Sequence, residues 1–370
     1  MGLYIHIPFC RQACNYCDFH FSTNLRGIEN TLKAMEAEID LRFLSAPIEQ
    51  DTYYFGGGTP SLLPAKTISS LVDSAMKNAP LKKGGEFTLE VNPEDVNNES
   101  LSNWKKLGIN RLSIGVQSFI DNKLKWMNRS HNSIEASTSI LRAQDAGFEN
   151  ISIDLIYGIP SSSLSEWQFN VNKALEMKLV HLSNYALTVE RKTQLFYEIK
   201  KGESKPLSDD RAEEDFRWFR EYLLQQGWDC YEISNSCLPE WRSVHNSRYW
   251  LRKPYYGIGP GAHSYDGGSI RRWNVSNNIK YQKSVGVNNL WYEEEFLEKR
   301  DIINEIIMTQ LRTREGLDSK ILGEWSSDIE KCWRPHIDAE RLKKDEYGFW
   351  KLLDKGLFWA DRIASDGFIP

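Results

Sequence analysis

Three cysteines, Cys10, Cys14 and Cys17, fall within eight consecutive residues as CxxxCxxC. Thiolates at such short spacings can wrap one metal centre. Three of them on a four-iron cubane leave one iron open. An open iron can chelate a small molecule through an amine and a carboxylate, as S-adenosylmethionine offers. A zinc ion held by the three cysteines and His20 is the alternative. A second candidate is Gly56-Gly57-Gly58-Thr59-Pro60, where bare glycines let the backbone approach a ligand closely. By itself this segment also reads as a tight turn. The third is a set of polar residues that close apolar runs: Glu90 in Leu89-Glu90-Val91, Gln117 after Gly115-Val116, and Asp154 in Ile153-Asp154-Leu155. One such residue is often a helix cap or an ion-pair partner. Three in succession beside the cysteine loop point to a shared ligand, because a buried acid is costly unless it is paired or used.

Short apolar runs alternating with amphipathic stretches must position these groups. The strands are predicted at Leu3–Ile7, Thr52–Phe55, Phe87–Val91, Arg111–Gly115, Ile151–Leu155 and Leu182–Ala186. The helices are predicted at Asn24–Leu44, Pro64–Asn78, Glu99–Leu107, Ile134–Ala146, Ser165–Met177 and Asp209–Gln226. Asn24 reads as an N-cap, and Gly108 and Gly147 as stops. Strand–helix repetition implies parallel βαβ units, in either an open (β/α) barrel or a doubly wound sheet. In the barrel, chemistry collects at the C-terminal strand ends, where the candidates lie. Residues 228–290 read as irregular with a few strands. From Tyr292 helical spacing returns, with Ile302, Ile303, Ile306, Ile307 and Leu311 on one face. The tail Leu352–Ile369 reads as a helix followed by two short strands around Ala364–Gly367.

The 370 residues suggest two or three domains: 1–233, a connecting region 234–291, and 292–370. A net charge of −5 argues against a global nucleic-acid footprint. No apolar run reaches the length of a membrane span, and the start lacks the features of a secretory signal. Six cysteines, half of them clustered, do not suit a secreted disulfide scaffold, so a reducing cytoplasmic compartment is expected. Asp209–Asp215 reads as the solvated start of a helix, and Cys230, Cys237 and Cys332 as incidental thiols.

With Tyr4-Ile5-His6-Ile7-Pro8-Phe9 before Cys10, the cysteine motif resembles the radical S-adenosylmethionine superfamily, in the branch of the oxygen-independent coproporphyrinogen III oxidases. The resemblance implies a partial (β/α)6 barrel, which with the helical, winged-helix-like module read from the tail makes an α/β fold with a mostly helical C-terminal domain. It implies a [4Fe-4S] cluster on Cys10, Cys14 and Cys17. Tyr4, Gly57, Glu90 and the backbone near Tyr16 would hold S-adenosylmethionine at the open iron. Gly58, Thr59, Gln117, Arg129, Asp154 and Ala186 match the surroundings of a second S-adenosylmethionine in the oxidase.

The chain departs from the oxidase pattern in two places. Phe19 stands where those enzymes carry a fourth cysteine, and nine residues precede Cys10 where they carry a longer segment. His245-Asn246-Ser247-Arg248-Tyr249-Trp250 instead matches the HNxxYW pattern of the family's heme-chaperone branch. A neutral imidazole suits heme iron, and Tyr249 and Trp250 would offer flat apolar faces to a porphyrin. His263, in the glycine-rich Gly257–His263 loop expected near the barrel mouth, is the second choice as ligand and is expected to be a hydrogen-bonded structural histidine. The resulting expectation is a heme chaperone that passes heme to an acceptor protein. An electron donor would be a partner if S-adenosylmethionine is cleaved, and a heme- or cluster-dependent dimer and peripheral membrane contact stay open. The alternatives are oxidative decarboxylation of coproporphyrinogen III to protoporphyrinogen IX, or another radical reaction such as methyl transfer.

Overall fold

A computed structural model describes residues 1–44, 46–206, 208–287, 290 and 292–370. Six parallel strands follow one another in space as they do in sequence: β1 (Gly2–Ile7), β2 (Gln50–Gly57), β3 (Leu81–Val91), β4 (Arg111–Gln117), β5 (Asn150–Tyr157) and β6 (His181–Ala186). That order has no reversal, so the doubly wound alternative falls. The sheet stays open, as a partial barrel. On the β6 side it gains antiparallel β7 (Asn235–Cys237). On the β1 side it gains β8 (Tyr255–Ile258), β9 (His263–Tyr265), β10 (Ile270–Asn274) and β11 (Tyr292–Phe296). Only β8 is parallel to its inner neighbour, pairing Gly2 with Tyr255 and Ile5 with Ile258.

The predicted helices appear as α1 (Ile28–Arg42), α2 (Ala65–Asn78), α3 (Asn98–Lys106), α5 (Ser133–Asp145), α6 (Leu164–Glu176) and α8 (Asp209–Gln225), with the unforeseen α4 (Asp121–Trp126) and α7 (Gln194–Lys201) between them. Alternation in the strands decides which residues meet the helices. In β1, Leu3, Ile5 and Ile7 are fully buried in one core with Leu32, Met35 and Ile39 of α1. Each such side chain is worth about 1.5–3 kcal/mol. The opposite face of the sheet is polar, with Tyr4 and His6 of β1 beside Tyr54 of β2.

Residues 228–290 are more regular than expected. Besides strands they form α9 (Val244–Trp250) and α10 (Asn278–Gly286), each nucleated by a side-chain cap from Ser243 or Asn277. The expected boundary at residue 291 lies outside the described residues. The solvated reading of 209–215 also needs correction at its end. Asp215 is buried against Arg211 and accepts from the Gly158 N–H at 3.4 Å.

A separate apolar cluster, including Ile303, Ile307, Leu317, Trp333 and Ile363, organises the last part. Its elements are α11 (Lys299–Gln310), β12 (Leu317–Asp318), α12 (Ser326–Asp338), β13 (Leu342–Lys344), β14 (Phe349–Leu352), α13 (Asp354–Leu357) and α14 (Ala360–Asp366). The β13–β14 hairpin is the wing, and β12 completes its sheet. The strands expected around Ala364–Gly367 are instead helix α14. Ala360, Ile363 and Ala364 repeat at helical spacing and are all buried.

Candidate functional site

The C-terminal ends of the parallel strands open into a cavity of about 430 Å3. Cys10, Cys14, Tyr16 and Cys17 form one wall. Gly57, Gly58, Thr59, Glu90, Gln117, Arg129, Asp154 and Ala186 also line it, with Asn92, Ser113 and Tyr185 among others. Nine of the ten residues assigned to S-adenosylmethionine thus meet at one mouth. Tyr4 does not: it sits outside the lining, with its hydroxyl 3.1 Å from His6 Nδ1.

Contacts from distant segments fix the cysteine loop. Asn15 donates to the Trp126 carbonyl at 2.7 Å, and Asn128 donates to the Ala13 carbonyl at 2.7 Å. Arg11 pairs with Asp95, which also accepts from Ser61 at 2.7 Å. All three thiols are free and partly exposed. Thr59 Oγ1 lies 3.5 Å from Cys10 Sγ, and Arg129 Nη1 lies 3.4 Å from Cys14 Sγ. Arg129 is held by Asn92 Oδ1 at 2.9 Å and the Gly115 carbonyl at 2.8 Å. Burial, then the neighbouring Cys14 and Cys10, push the Cys17 thiol up to about 12. Among the described residues no three His, Cys, Asp or Glu side chains meet at a single-ion site. His20, the fourth ligand of the zinc alternative, instead pairs with Asn278 at 2.8 Å and is not on the cavity wall.

The glycine segment fits so closely that side chains are excluded. A Cβ on Gly58 would lie 2.5 Å from the Phe9 carbonyl oxygen, and one on Gly57, at φ +106°, would lie 2.5 Å from the His6 ring. The Gly57 N–H donates to Glu90 Oε2 at 3.0 Å, and the Tyr54 hydroxyl donates to Oε1 at 2.7 Å. Burial, with a smaller push from Asp154, raises Glu90 to about 7 despite these donors. Burial likewise raises Asp154 to about 6, against the pull of Arg111 and of hydrogen bonds from Ser183 and Ser113. Gln117 reaches the cavity through a left-handed backbone, φ 64°, beside a register shift between β4 and β5. Irregularities of this kind re-aim a side chain at strand ends.

The histidine motif lies elsewhere. His245 is 1% exposed and is absent from the cavity lining. Its Nδ1 lies 2.9 Å from Thr52 Oγ1, and its Nε2 lies 3.0 Å from the Tyr249 hydroxyl. Its ring packs on Tyr54, at 4.9 Å between centroids. Burial, helped by Arg248 and Arg111, lowers its pKa to about 3, so the imidazole is neutral. Trp250 is covered by the Arg312 guanidinium, 5.2 Å from the ring centroid. His263 departs from its expectation: it is exposed and stacks on Trp273, and its ring makes no hydrogen bond among the described residues. Its loop, expected near the mouth, is absent from the lining. Sequence reading missed Asn92 and Arg111. Asn92 stands two residues after Glu90, on a strand already suspected, and a charged residue opening the apolar run Arg111–Gly115 was the available sign of the other.

Comparison with known proteins agrees with this fold. The radical SAM superfamily matches residues 4–171. The heme chaperone HemW of Lactococcus lactis subsp. lactis is 34% identical over 362 residues, covering 94% of this chain and 93% of that protein. The heme chaperone HemW of Escherichia coli is 30% identical over 380 residues, covering 99% and 97%. The solved coproporphyrinogen III oxidase HemN of Escherichia coli, described as a radical SAM enzyme, has a TM-score of 0.85 at 22% identity. That match covers 99% of this chain and 89% of the oxidase, and it establishes a shared fold.

Proposed function

The chain belongs to the HemW heme chaperone family within the radical SAM superfamily, and on that premise we propose that it binds heme and passes it to an acceptor protein. In this reading it also carries a [4Fe-4S] cluster and S-adenosylmethionine, in a reducing cytoplasmic compartment. In this reading the division is 1–233 for the cofactor barrel, 234–291 for a connecting region with the heme motif and 292–370 for the C-terminal domain, although β7–β11 extend the barrel's sheet as far as Phe296.

The observation that carries the cofactor half is the shared wall of three free thiols beside a side-chain-free glycine segment and two half-buried carboxylates. That donor set fits a thiolate-held cluster with a cationic small molecule next to it. Cys10, Cys14 and Cys17 would hold the cluster. When bound, it supplies an open iron for the amine and carboxylate of S-adenosylmethionine and a route for one electron. The chain's own residues then position the ligand. Glu90, oriented by Tyr54 and Gly57, receives an ammonium group. Gly58 and Thr59 offer backbone, and Gln117, Arg129, Asp154 and Ala186 shape the far side. Tyr4 stands behind this wall, its hydroxyl 3.1 Å from His6 Nδ1.

The heme half rests on family membership and on the HNxxYW segment, and it carries a structural condition. Both His245 nitrogens are engaged, so iron reaches Nε2 only when Tyr249 lets go and α9 turns outward.

The test is anaerobic reconstitution of the full chain, followed by heme titration and a coproporphyrinogen decarboxylation assay on one sample. About four irons per chain, lost in Cys14→Ser, and a Soret band on adding heme are the expected results. Protoporphyrinogen release without heme binding would overturn the chaperone reading, and one zinc per chain would overturn the cluster.

A further inference from the structure

Beneath the cavity floor lies a buried cation that the cofactor reading leaves unused. Arg111 opens β4 and is 1% exposed. Its Nε and Nη1 are buried with no hydrogen-bond partner among the described residues. Burying a guanidinium without a partner is costly, so its position needs a reason. In register, Arg111 stands between Thr88 of β3 and Asn150 of β5. Thr88 Oγ1 and Asn150 Oδ1 are also buried and unpartnered. One step further along the same inward face stand Glu90 and Ser113, which are paired in register, and Ser113 Oγ reaches Asp154 at 3.4 Å. By register the Arg111 backbone therefore stands one step below Glu90 and two steps below Asp154 on this face, at about 7 Å per step. At that range a charge acts through its field without a hydrogen bond.

We propose that Arg111 is a positioning residue: the buried countercharge beneath Glu90 and Asp154 that favours negative charge on this floor, so that the cavity attracts a cationic ligand. This rests on the reading that S-adenosylmethionine, with its sulfonium and ammonium charges, is the cavity's ligand. Other groups around the carboxylates do not supply that charge. Cys10 and Tyr4 face Glu90 from the β1 side and Tyr54 from β2, Tyr185 faces from β6 and Tyr249 from α9, and burial raises the pKa of every one. His181 and His245, below, are lowered by burial and again by Arg111 itself. Two arginines line the cavity itself: Arg129 is committed to Asn92, Gly115 and Cys14, and Arg11 to Asp95. The pull of Arg111 on both carboxyls agrees with this placement, and for Asp154 it is the largest opposing burial.

Two measurements test the proposal. First, S-adenosylmethionine binding to reconstituted parent, Arg111→Met and Arg111→Lys chains is followed from pH 6 to 8.5. Parent affinity should fall as the pH drops through the carboxyl titrations, near 7 and 6. Arg111→Met should move that fall up by about one pH unit, weaken binding about tenfold at pH 7, and recover by pH 8.5. Arg111→Lys should stay within about threefold of the parent, since it keeps the charge. A Met variant with the parent profile, or weakened equally at every pH, overturns the proposal.

Second, thermal unfolding without ligand isolates the charge. Both carboxyls sit above their unfolded values, so stability falls as pH rises through their folded titrations. Without Arg111 the loss should deepen: Arg111→Met should lose more Tm at pH 8 than at pH 6, and adding Asp154→Asn should restore it. If Arg111→Met fails to fold at pH 8, folding at pH 6 or with Asp154→Asn supports the proposal, and failure in both overturns it. Should the parent not bind S-adenosylmethionine at any pH, the ligand reading falls, and the unfolding result alone decides the role of Arg111.

Discussion

Replacing Tyr249 with Phe separates the two roles open to His245. The Tyr249 hydroxyl is the partner of Nε2, at 3.0 Å, while Nδ1 stays on Thr52. If iron takes Nε2, it must first displace that hydroxyl. A hydrogen bond of this kind contributes about 0.5–1.5 kcal/mol net. Tyr249→Phe removes the competitor but keeps the ring that packs edge-on against Tyr255 at 4.9 Å. Heme affinity should therefore rise roughly 2- to 13-fold, because the free state loses what binding no longer has to break. By linkage, heme-free stability should fall by the same free energy, which ties two independent measurements together. No protonation cost enters, since the imidazole is neutral at pH 7. His245→Ala should cut affinity more than tenfold. Heme titration followed at the Soret band gives the affinities, and denaturant unfolding gives the stabilities. If both variants bind heme within twofold of the parent while losing stability, the histidine is a strut for α9, and the iron ligand lies elsewhere.

Three further outcomes follow from the packing. Glu38 is fully buried and accepts from Arg42 at 2.7 Å, Asn274 at 2.8 Å, Tyr281 at 2.6 Å and the Gly259 N–H at 2.8 Å. Glu38→Ala should cost about 3–5 kcal/mol in denaturant unfolding, and Glu38→Gln clearly less. Gly257 faces β9 so closely that a Cβ would lie 1.9 Å from the His263 carbonyl oxygen, so Gly257→Ala should lower Tm sharply or leave the chain insoluble. Burial raises Asp229, but Arg242 and Arg314, each at 2.8 Å, outweigh it and hold the carboxyl below its usual value. That stabilisation is present above the unfolded pKa and is lost as pH falls through the folded one. Asp229→Asn should accordingly lower Tm at neutral pH and converge with the parent in acid.

The barrel was legible because its signal is local. Leu3, Ile5 and Ile7 alternate, and the loops after the strands carry the residues that later meet at the mouth. Long-range polar partnerships have no such signature. Nothing near His245 announces Thr52, and nothing near Glu38 announces Tyr281, because those pairs form only when α9 and α10 fold back onto the start of the chain. The short helix α9 was hidden by its Asn, Ser and Tyr content, and its formation depends on the Ser243 cap more than on apolar spacing. The misplaced C-terminal strands have a similar cause. The hairpin at β13 and β14 is set by Asp345, whose carboxylate accepts from Tyr347 N–H and Phe349 N–H, a turn device inside a charged stretch.

The position of β1 has a consequence for how the chain reaches this state. That strand leads directly into the cysteine loop, and it is flanked by β2 on one side and by β8 on the other. One neighbour emerges within the first 57 residues, the other only with Tyr255–Ile258. During synthesis the β8-facing edge of β1 therefore stays unpaired while most of the chain is made, offering free N–H and C=O groups to any passing strand. Closing it is a contact of very long sequence separation, which slows folding. The platform under the thiols is finished late, so variants that loosen β8 should reveal themselves first as aggregation during expression, before any cofactor is added.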